Sequence, residues 1–254
     1  MNPFDLSGRV AIVTGGNGGI GLGMVRGLAN AGAAVVIAGR NPDKNAAAVA
    51  ELESLGAKAA AVEVDVTDET SCRVMIAFAV ERFGRLDILI NNAGTNIRKS
   101  PQEYSLAEWN EVMTTNLTST FICSQIAYSE MKQTGGGKII NIGSMTSIFG
   151  VPFAAPYSAS KGAVVQLTKS LATAWAKDNI QVNVVLPGWI DTDLTRQARR
   201  DVPGLHERVL GRTPAGRWGA TDDFAGIAVF LSSPASDFIT GTAIPVDGGY
   251  SVQG

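Results

Sequence analysis

Short runs of apolar, often β-branched residues alternate along the chain with longer segments whose apolar positions recur every three or four residues. The short runs predict strands buried on both faces, and the longer segments predict amphipathic helices. The predicted strands are 10–13, 34–38, 59–64, 88–90, 138–142, 181–185 and 243–246. The predicted helices are 20–30, 43–55, 69–83, 106–132, 156–177, 191–200 and 222–232. This alternation predicts an α/β fold, a doubly wound seven-stranded parallel sheet with helices on both faces.

Length and charge narrow the class of protein. No linker or low-complexity stretch divides the 254 residues, so we expect a single domain over residues 1–254. A net charge of -2 provides no broad basic surface, which argues against nucleic acid or an anionic membrane as a partner. Residues 1–5 lack a basic leader, and no apolar run approaches membrane-spanning length. We therefore expect a cytoplasmic protein that acts on a small molecule.

Few residues suit metal or thiol chemistry. Cys72 and Cys123 are isolated within helical patterns, which favours reduced and buried thiols. His206 is the single histidine, so a metal site built from several histidines is excluded, and we expect no metal.

A glycine-rich segment, residues 14–21, joins the first predicted strand to the first predicted helix. Glycines permit positive φ and close backbone approach, while the helix N-terminus offers free N–H groups and a partial positive charge. The spacing differs from G-x-G-x-x-G, but the strand and helix context is the same. The segment therefore predicts a site for a dinucleotide pyrophosphate, although a glycine turn without a ligand has the same composition.

Tyr157 and Lys161 lie four residues apart in a predicted helix, so both side chains share one face. A nearby ammonium favours the phenolate and would move the tyrosine pKa down from about 10, toward the range of a general base. The same spacing is found in ordinary exposed helical turns. The pair therefore predicts acid/base chemistry only in combination with other polar residues.

Those polar residues follow the carboxyl ends of the strands, where ligands bind in parallel sheets. They are Arg40 and Asn41, Asp65 and Val66, residues 91–94, Ser144, and Pro187 and Gly188. Each set is also compatible with turn formation, but their presence at consecutive strand ends favours a site. Arg40 stands where an NAD site would place an acidic residue, and a guanidinium suits the 2′-phosphate of NADP.

With these residues in place, the chain resembles the short-chain dehydrogenase/reductase family over essentially its full length. The matching motifs are residues 14–21, Asp65, residues 91–94, Asn116, Ser144, Tyr157 with Lys161, Pro187 and Gly188 with Thr192, and residues 246–249. The resemblance implies a Rossmann fold and an NAD(P)-dependent oxidoreductase. It implies that Tyr157 is the general acid/base, that Ser144 holds the reacting oxygen, that Lys161 holds the nicotinamide ribose, and that Asn116 anchors a relay water.

The resemblance also implies the cofactor contacts. The residues expected around the cofactor are Gly15, Asn17, Gly19, Ile20, Arg40, Asn41, Asp65, Val66, Asn92, Ala93, Gly94, Tyr157, Lys161, Pro187, Gly188, Ile190 and Thr192. Asn91 is expected to tie neighbouring strands together. Asn17 stands where many NADP-preferring relatives place a basic residue, so one contact to the phosphate is expected to be missing.

Within the family, residues 4–9, 39–41 and 213–219 resemble the gluconate 5-dehydrogenase and 2-deoxy-D-gluconate 3-dehydrogenase branch. That likeness implies a sugar acid or a related sugar or polyol as substrate, held by Ser144 and Tyr157. Arg98 or Lys99 is the candidate partner for a substrate carboxylate. A solvated loop face is the alternative for both residues, and Ile97 departs from the paired arginines common in this branch.

Residues 189–218 mix arginine, proline and glycine with weak periodicity and predict a lid over the substrate. The alternative is an exposed loop at a subunit contact, and the resemblance implies a homotetramer. Two other functions stay open at this point: a 3-oxoacyl-carrier-protein-type reductase and a non-catalytic dinucleotide-binding sensor. The presence of Asn116, Ser144, Tyr157 and Lys161 argues against the sensor.

Overall fold

The sheet confirms the predicted fold class. The computed structural model describes residues 2–253, and within them seven parallel strands lie in the order β3-β2-β1-β4-β5-β6-β7. They are β1 Val10–Thr14, β2 Ala34–Gly39, β3 Ala59–Glu63, β4 Ile88–Asn91, β5 Gly137–Ile142, β6 Ile180–Pro187 and β7 Ala243–Val246. The order reverses between β1 and β4, and this is the place where a doubly wound sheet opens a crevice at its carboxyl edge.

Helices cover both faces of the sheet. They are α1 Gly19–Asn30, α2 Pro42–Ser54, α3 Glu69–Phe83, α4 Leu106–Met113, α5 Ser119–Gln133, α6 Ala155–Trp175, α7 Asp193–Asp201, α8 Leu205–Arg212 and α9 Ala225–Ser232. Alternate residues of each central strand pack against opposite layers. In β1, Ala11 and Val13 join the core under α1, α2 and α9, whereas Val10 and Ile12 join the core under α3, α5 and α6. This two-sided burial is why the central strands are mostly apolar.

Apart from shifts of one or two residues at other element ends, the helices differ from the sequence prediction in four respects. The helix predicted over 106–132 contains a π-helical turn, Thr114–Thr118, between α4 and α5. α7 begins at Asp193 instead of 191, because Thr192 is its N-cap and its side chain accepts a hydrogen bond from the Thr195 N–H. The helix predicted from 222 begins as a 3₁₀ turn, Thr221–Phe224, before α9.

The fourth difference is α8, which the sequence analysis did not predict. Its apolar residues are few, and Leu205 and Val209 pack with Ala198 of α7 into a small core of their own. Trp189 and Trp218 flank this core. None of the helices within residues 2–253 is long and apolar enough to cross a membrane.

Candidate active site

The turn after β1 is shaped by glycine and by Asn92. Gly15 and Gly19 have φ of 64° and 52°, a conformation that disfavours side chains. Nδ2 of Asn92 donates to the carbonyls of Thr14 and Gly15, at 3.0 and 3.1 Å. A Cβ on Gly21 would lie 2.3 Å from the Gly15 carbonyl oxygen. The turn therefore holds the start of α1 tightly against the end of β1.

The N-terminus of α1 opens onto a cleft. Gly18 precedes the helix with no side-chain cap, and a Cβ built there meets nothing within 4 Å. Uncapped N–H groups at a helix start, with free space in front of them, suit a pyrophosphate. The observed backbone therefore fits the predicted dinucleotide.

Two cavities, of about 320 and 330 Å³, lie on either side of Asn17 and Gly94. Together they bring all of the predicted cofactor residues to one continuous cleft. Gly15, Arg40, Asn41, Asp65, Val66 and Ala93 line the first cavity, and Gly19, Ile20, Asn92, Tyr157, Lys161, Pro187, Gly188, Ile190 and Thr192 line the second.

The first cavity has a basic rim. Arg40 and Lys44 are both exposed and line it, and neither forms an ion pair within residues 2–253. Lys44 was missed by the sequence analysis, although its place in the first turn of the helix after Arg40 was a usable signal. The side chain of Asn41 is engaged as the N-cap of α2, accepting from the Lys44 N–H at 2.9 Å.

The remaining polar groups of this cavity are held in place locally. Nδ2 of Asn17 donates to Oδ1 of Asn45 at 2.6 Å, so Asn17 is fixed toward α2. The carboxylate of Asp65 accepts from the backbone N–H and the hydroxyl of Thr67, and these hydrogen bonds lower its pKa. Asn91 ties β4 to β5, as its Nδ2 donates to Asn141 Oδ1 at 2.9 Å.

Lys161 lies one helical turn after Tyr157 on α6, and its ammonium is buried in the second cavity. Nζ donates to the carbonyl of Ile142 at 2.7 Å and lies 5.8 Å from the centre of the Tyr157 ring. Burial lowers the lysine pKa to about 8, because the low-dielectric surroundings disfavour the charged form. Lys161 is therefore still mostly protonated at neutral pH, although burying its charge costs solvation free energy.

The pKa of Tyr157 shifts in the direction opposite to the one that the sequence predicted. Desolvation raises the pKa of its phenol, and a hydrogen bond with Ser144 and the charge of Arg98 oppose this only in part. Lys161 was expected to lower this pKa. Its ammonium faces the Ile142 carbonyl instead, so burial dominates the titration of the phenol.

Ser144 and Asn116 are fixed around this pair by neighbouring backbone. Oγ of Ser144 accepts from the Thr146 N–H at 3.1 Å, which caps the 3₁₀ turn Met145–Ser147. Asn116 lies in the π-helical turn, and its amide exchanges two hydrogen bonds with the backbone of Thr95, at 2.8 and 3.0 Å. Its Nδ2 also donates to Ser160 Oγ on α6. The catalytic candidates thus converge from three different elements.

A third cavity, of about 140 Å³, adjoins Ser144 and Tyr157 on the side away from α1. Of the two candidate cations, Arg98 lines this cavity and its side chain is 18% exposed. Lys99 is engaged elsewhere, because it forms an ion pair with Glu108 and lowers the pKa of that carboxyl to about 2. The structure therefore separates the two alternatives that the sequence left open.

Comparison with known proteins agrees with this geometry. Residues 15–251 match a family described as enoyl-(acyl carrier protein) reductase. The chain is 43% identical over 251 residues to the gluconate 5-dehydrogenase of Gluconobacter oxydans, covering 98% of this chain and 97% of that protein. It is equally identical, over the same length, to the 2-dehydro-3-deoxy-D-gluconate 5-dehydrogenase of Dickeya dadantii, covering 98% of each.

Solved structures show the same likeness. A gluconate 5-dehydrogenase from Burkholderia cenocepacia, in complex with NADP and tartrate, superposes with a TM-score of 0.93. Its sequence is 42% identical, with 98% of each chain covered. The chain belongs to the short-chain dehydrogenase/reductase family. Like its family, it is an NAD(P)-dependent oxidoreductase that acts on CH–OH groups.

In this short-chain dehydrogenase/reductase, α7 and α8 cover the substrate side of the cleft. Ion pairs stiffen the segment, since Arg196 and Arg199 both contact Asp191, and Arg217 pairs with Asp223 at 2.6 Å. His206 stacks on Trp218 and accepts a hydrogen bond from its indole N–H at 3.1 Å. These contacts give His206 a structural role.

Proposed function

We propose that this protein is an NADP(H)-dependent dehydrogenase/reductase that interconverts a secondary alcohol and a ketone on a sugar acid, of the gluconate or keto-gluconate type. The observation that carries this proposal is the cavity beside Ser144 and Tyr157. It is lined by arginine, and no acidic residue of the described chain lines it. An arginine-lined cavity of this kind favours an anionic substrate. The sugar-acid names of the similar enzymes support the same class.

The cofactor preference is supported by the rim of the first cavity. Within residues 2–253 Arg40 and Lys44 form no ion pair, although the charge of Arg40 acts on Asp65 in the same cavity, and both side chains offer donors to a 2′-phosphate. The side chain of Asn17 is hydrogen-bonded to Asn45, and the glycine turn has no basic residue to contact the 2′-phosphate. Lys44 would supply the second cation in its place. The start of α1 would hold the pyrophosphate, Asp65 and Val66 would face the adenine, and the backbone of Ile190 would hold the carboxamide.

When bound, NADP⁺ supplies the acceptor for the hydride that leaves the substrate carbon. Ser144 donates a hydrogen bond to the substrate oxygen and orients it toward Tyr157. In the oxidation direction Tyr157 first loses its own proton to solvent. As the C–H bond breaks, the phenolate takes the hydroxyl proton, so that the alcohol leaves as a ketone without accumulating charge on oxygen. In the reverse direction Tyr157 returns the proton.

Lys161 and Asn116 support this proton transfer. The ammonium of Lys161 lies 5.8 Å from the centre of the Tyr157 ring. Although Nζ donates to the Ile142 carbonyl and burial outweighs its effect on the phenol, its positive charge favours the phenolate that accepts the proton in oxidation and remains after the proton is given up in reduction. The amide of Asn116 is fully engaged with Thr95 and Ser160. A relay water would therefore bind the Asn116 backbone carbonyl, which also accepts from the Thr120 hydroxyl at 2.9 Å.

Three further features stay predictions. They are a single domain with a lid over residues 189–218, assembly as a homotetramer and a cytoplasmic location. Leu194 and Thr195 of α7 and Arg212 of α8 line the third cavity, and this position supports the lid. The exposed apolar side chains of Leu106, Trp109 and Phe121 on the α4 and α5 surface support a subunit contact.

The proposal is tested by following nucleotide absorbance with NADP⁺ and NAD⁺ in parallel. The panel contains gluconate, keto-gluconates with NADPH, neutral polyols of equal length, and acetoacetyl thioesters. We expect turnover on sugar acids with NADP(H) to exceed that on the other compounds. Preference for the thioester would replace this proposal with the carrier-protein reductase, and binding without turnover of any compound would favour the sensor.

A further inference from the structure

The substrate cavity contains a second arginine that the sequence did not single out. Arg98 reaches it from the loop after β4, and Arg212 reaches it from the last turn of α8. Both are half-buried. Arg98 lies 4.0 Å from the carboxylate of Asp201, which does not line the cavity. Arg212 has no such partner within residues 2–253, so it leaves a positive charge that an anionic substrate can neutralise.

Arg212 is held by aromatic rings instead of by an acid. Its guanidinium carbon lies 4.6 Å from the ring centre of Phe149 and 4.5 Å from that of Tyr250. Within residues 2–253 its side chain makes no ion pair or hydrogen bond, although Arg196, Arg199 and Arg217 of the same lid region are all ion-paired. Stacking fixes the plane of a guanidinium and leaves its N–H donors free along the edge.

The C-terminal segment keeps this arrangement in place. The Gly211 carbonyl accepts from Nε2 of Gln253 at 3.4 Å, and the Gly248 carbonyl accepts from the Ala215 N–H at 3.0 Å. Phe149 and Tyr250 meet edge to face, with ring centres 6.3 Å apart. Arg212 therefore occupies a preformed position, so little side-chain entropy is lost when it binds an anion.

The two arginines stand in different parts of the cavity. Arg98 is close enough to Tyr157 for its charge to act on the phenol, whereas Arg212 contacts Phe149 and Tyr250. A carboxylate that is several carbons away from the reacting carbon requires a cation away from Tyr157. Arg212 meets that requirement and Arg98 does not.

Resting on the proposed function, we propose that Arg212 binds the substrate carboxylate and selects hydroxy acids whose carboxylate is remote from the reacting carbon. Arg98 then acts beside the reacting oxygen.

The test compares Arg212→Gln with Arg208→Gln in steady-state assays with NADP⁺. Arg208 lies on the same helix, is exposed, and bonds only the Pro203 carbonyl, so it is a matched control. For gluconate we expect Arg212→Gln to raise KM about tenfold or more, the loss of a charge-assisted pair, with little change in kcat. KM for NADP⁺ and for an uncharged polyol stays unchanged, and Arg208→Gln matches the wild type throughout.

A purely structural role for Arg212 predicts a different pattern. If Arg212→Gln changes KM for gluconate and for the polyol equally, or changes neither, the proposal is overturned. Arg212→Lys keeps the charge but loses the planar stacking, and we expect it to recover only part of the affinity for gluconate.

A binding assay separates failure of this inference from failure of the proposed function. The melting temperature of each protein with NADP⁺ is measured with and without gluconate, which requires no turnover. We expect gluconate to raise the melting temperature of the wild type and of Arg208→Gln but not that of Arg212→Gln. Wild-type turnover of gluconate with no effect of Arg212→Gln refutes only the inference. A wild type that neither turns over nor is stabilised by any sugar acid refutes both.

Discussion

We predict that the buried charge of Lys161 lowers the free energy of unfolding of the protein. Replacing Lys161 with methionine removes a buried ammonium and keeps a side chain of similar length. Its pKa falls from the ordinary 10.5 to about 8 on burial. At about 1.4 kcal/mol for each pH unit, this difference corresponds to roughly 3 kcal/mol of destabilisation at neutral pH. The lost hydrogen bond to the Ile142 carbonyl offsets about 1 kcal/mol of this.

We therefore expect Lys161→Met to be about 2 kcal/mol more stable than the wild type at pH 7, and catalytically inactive. The pH dependence follows from the lowered pKa. Below about pH 8 the lysine is protonated in both the folded and the unfolded wild type, and the full destabilisation is present. Between about pH 8 and pH 10.5 the unfolded wild type binds more protons than the folded wild type, so its free energy of unfolding rises with pH. The difference in stability between the wild type and Lys161→Met therefore becomes smaller over this range.

The measurement is urea unfolding, followed by tryptophan fluorescence, without cofactor and at fixed protein concentration, at pH 7 and pH 9.5. We expect the stability difference to narrow by about 2 kcal/mol between these two values. Lys169→Met is the control, since Lys169 lies on the same helix but is exposed, and it should differ from the wild type by less than about 0.5 kcal/mol. A Lys161→Met variant that is less stable at pH 7, or a difference independent of pH, would refute the reasoning.

Two further predictions concern catalysis and cofactor choice. Tyr157→Phe should lower kcat by about 100-fold or more while NADPH fluorescence titration shows unchanged affinity; Tyr128→Phe, whose hydroxyl bonds Asp178 remote from the cleft, is the control, and retained turnover would contradict the assigned role. Arg40→Asp should reduce the preference for NADP over NAD by about tenfold or more in parallel assays, and Lys44→Gln by less. An unchanged ratio in both variants would mean that another group binds the 2′-phosphate.

Features that depend on local spacing were accessible from the sequence. Alternating apolar runs predicted each strand of the sheet, because burial on both faces requires apolar residues at every position. The glycine turn and the four-residue spacing of Tyr157 and Lys161 were likewise readable, because backbone geometry and helical periodicity act over a few residues. The residue types at the carboxyl ends of the strands then predicted which residues line the cofactor side of the cleft.

Features that depend on packing between distant segments were decided only by the tertiary structure. The sequence could not separate Arg98 from Lys99, since the choice follows from the ion pair of Lys99 with Glu108. It gave no reason to single out Arg212, because the aromatic rings that hold it come from positions 149 and 250.

The direction of the Tyr157 pKa shift is the clearest example. Spacing alone predicted a lowered value, because Lys161 is four residues away. The folded chain turns the ammonium toward the Ile142 carbonyl and leaves the half-buried phenol partly desolvated, so its pKa rises. The sequence by itself determined which groups carry the chemistry. Only the tertiary structure decided what each group faces, and desolvation and electrostatic energies depend on those neighbours.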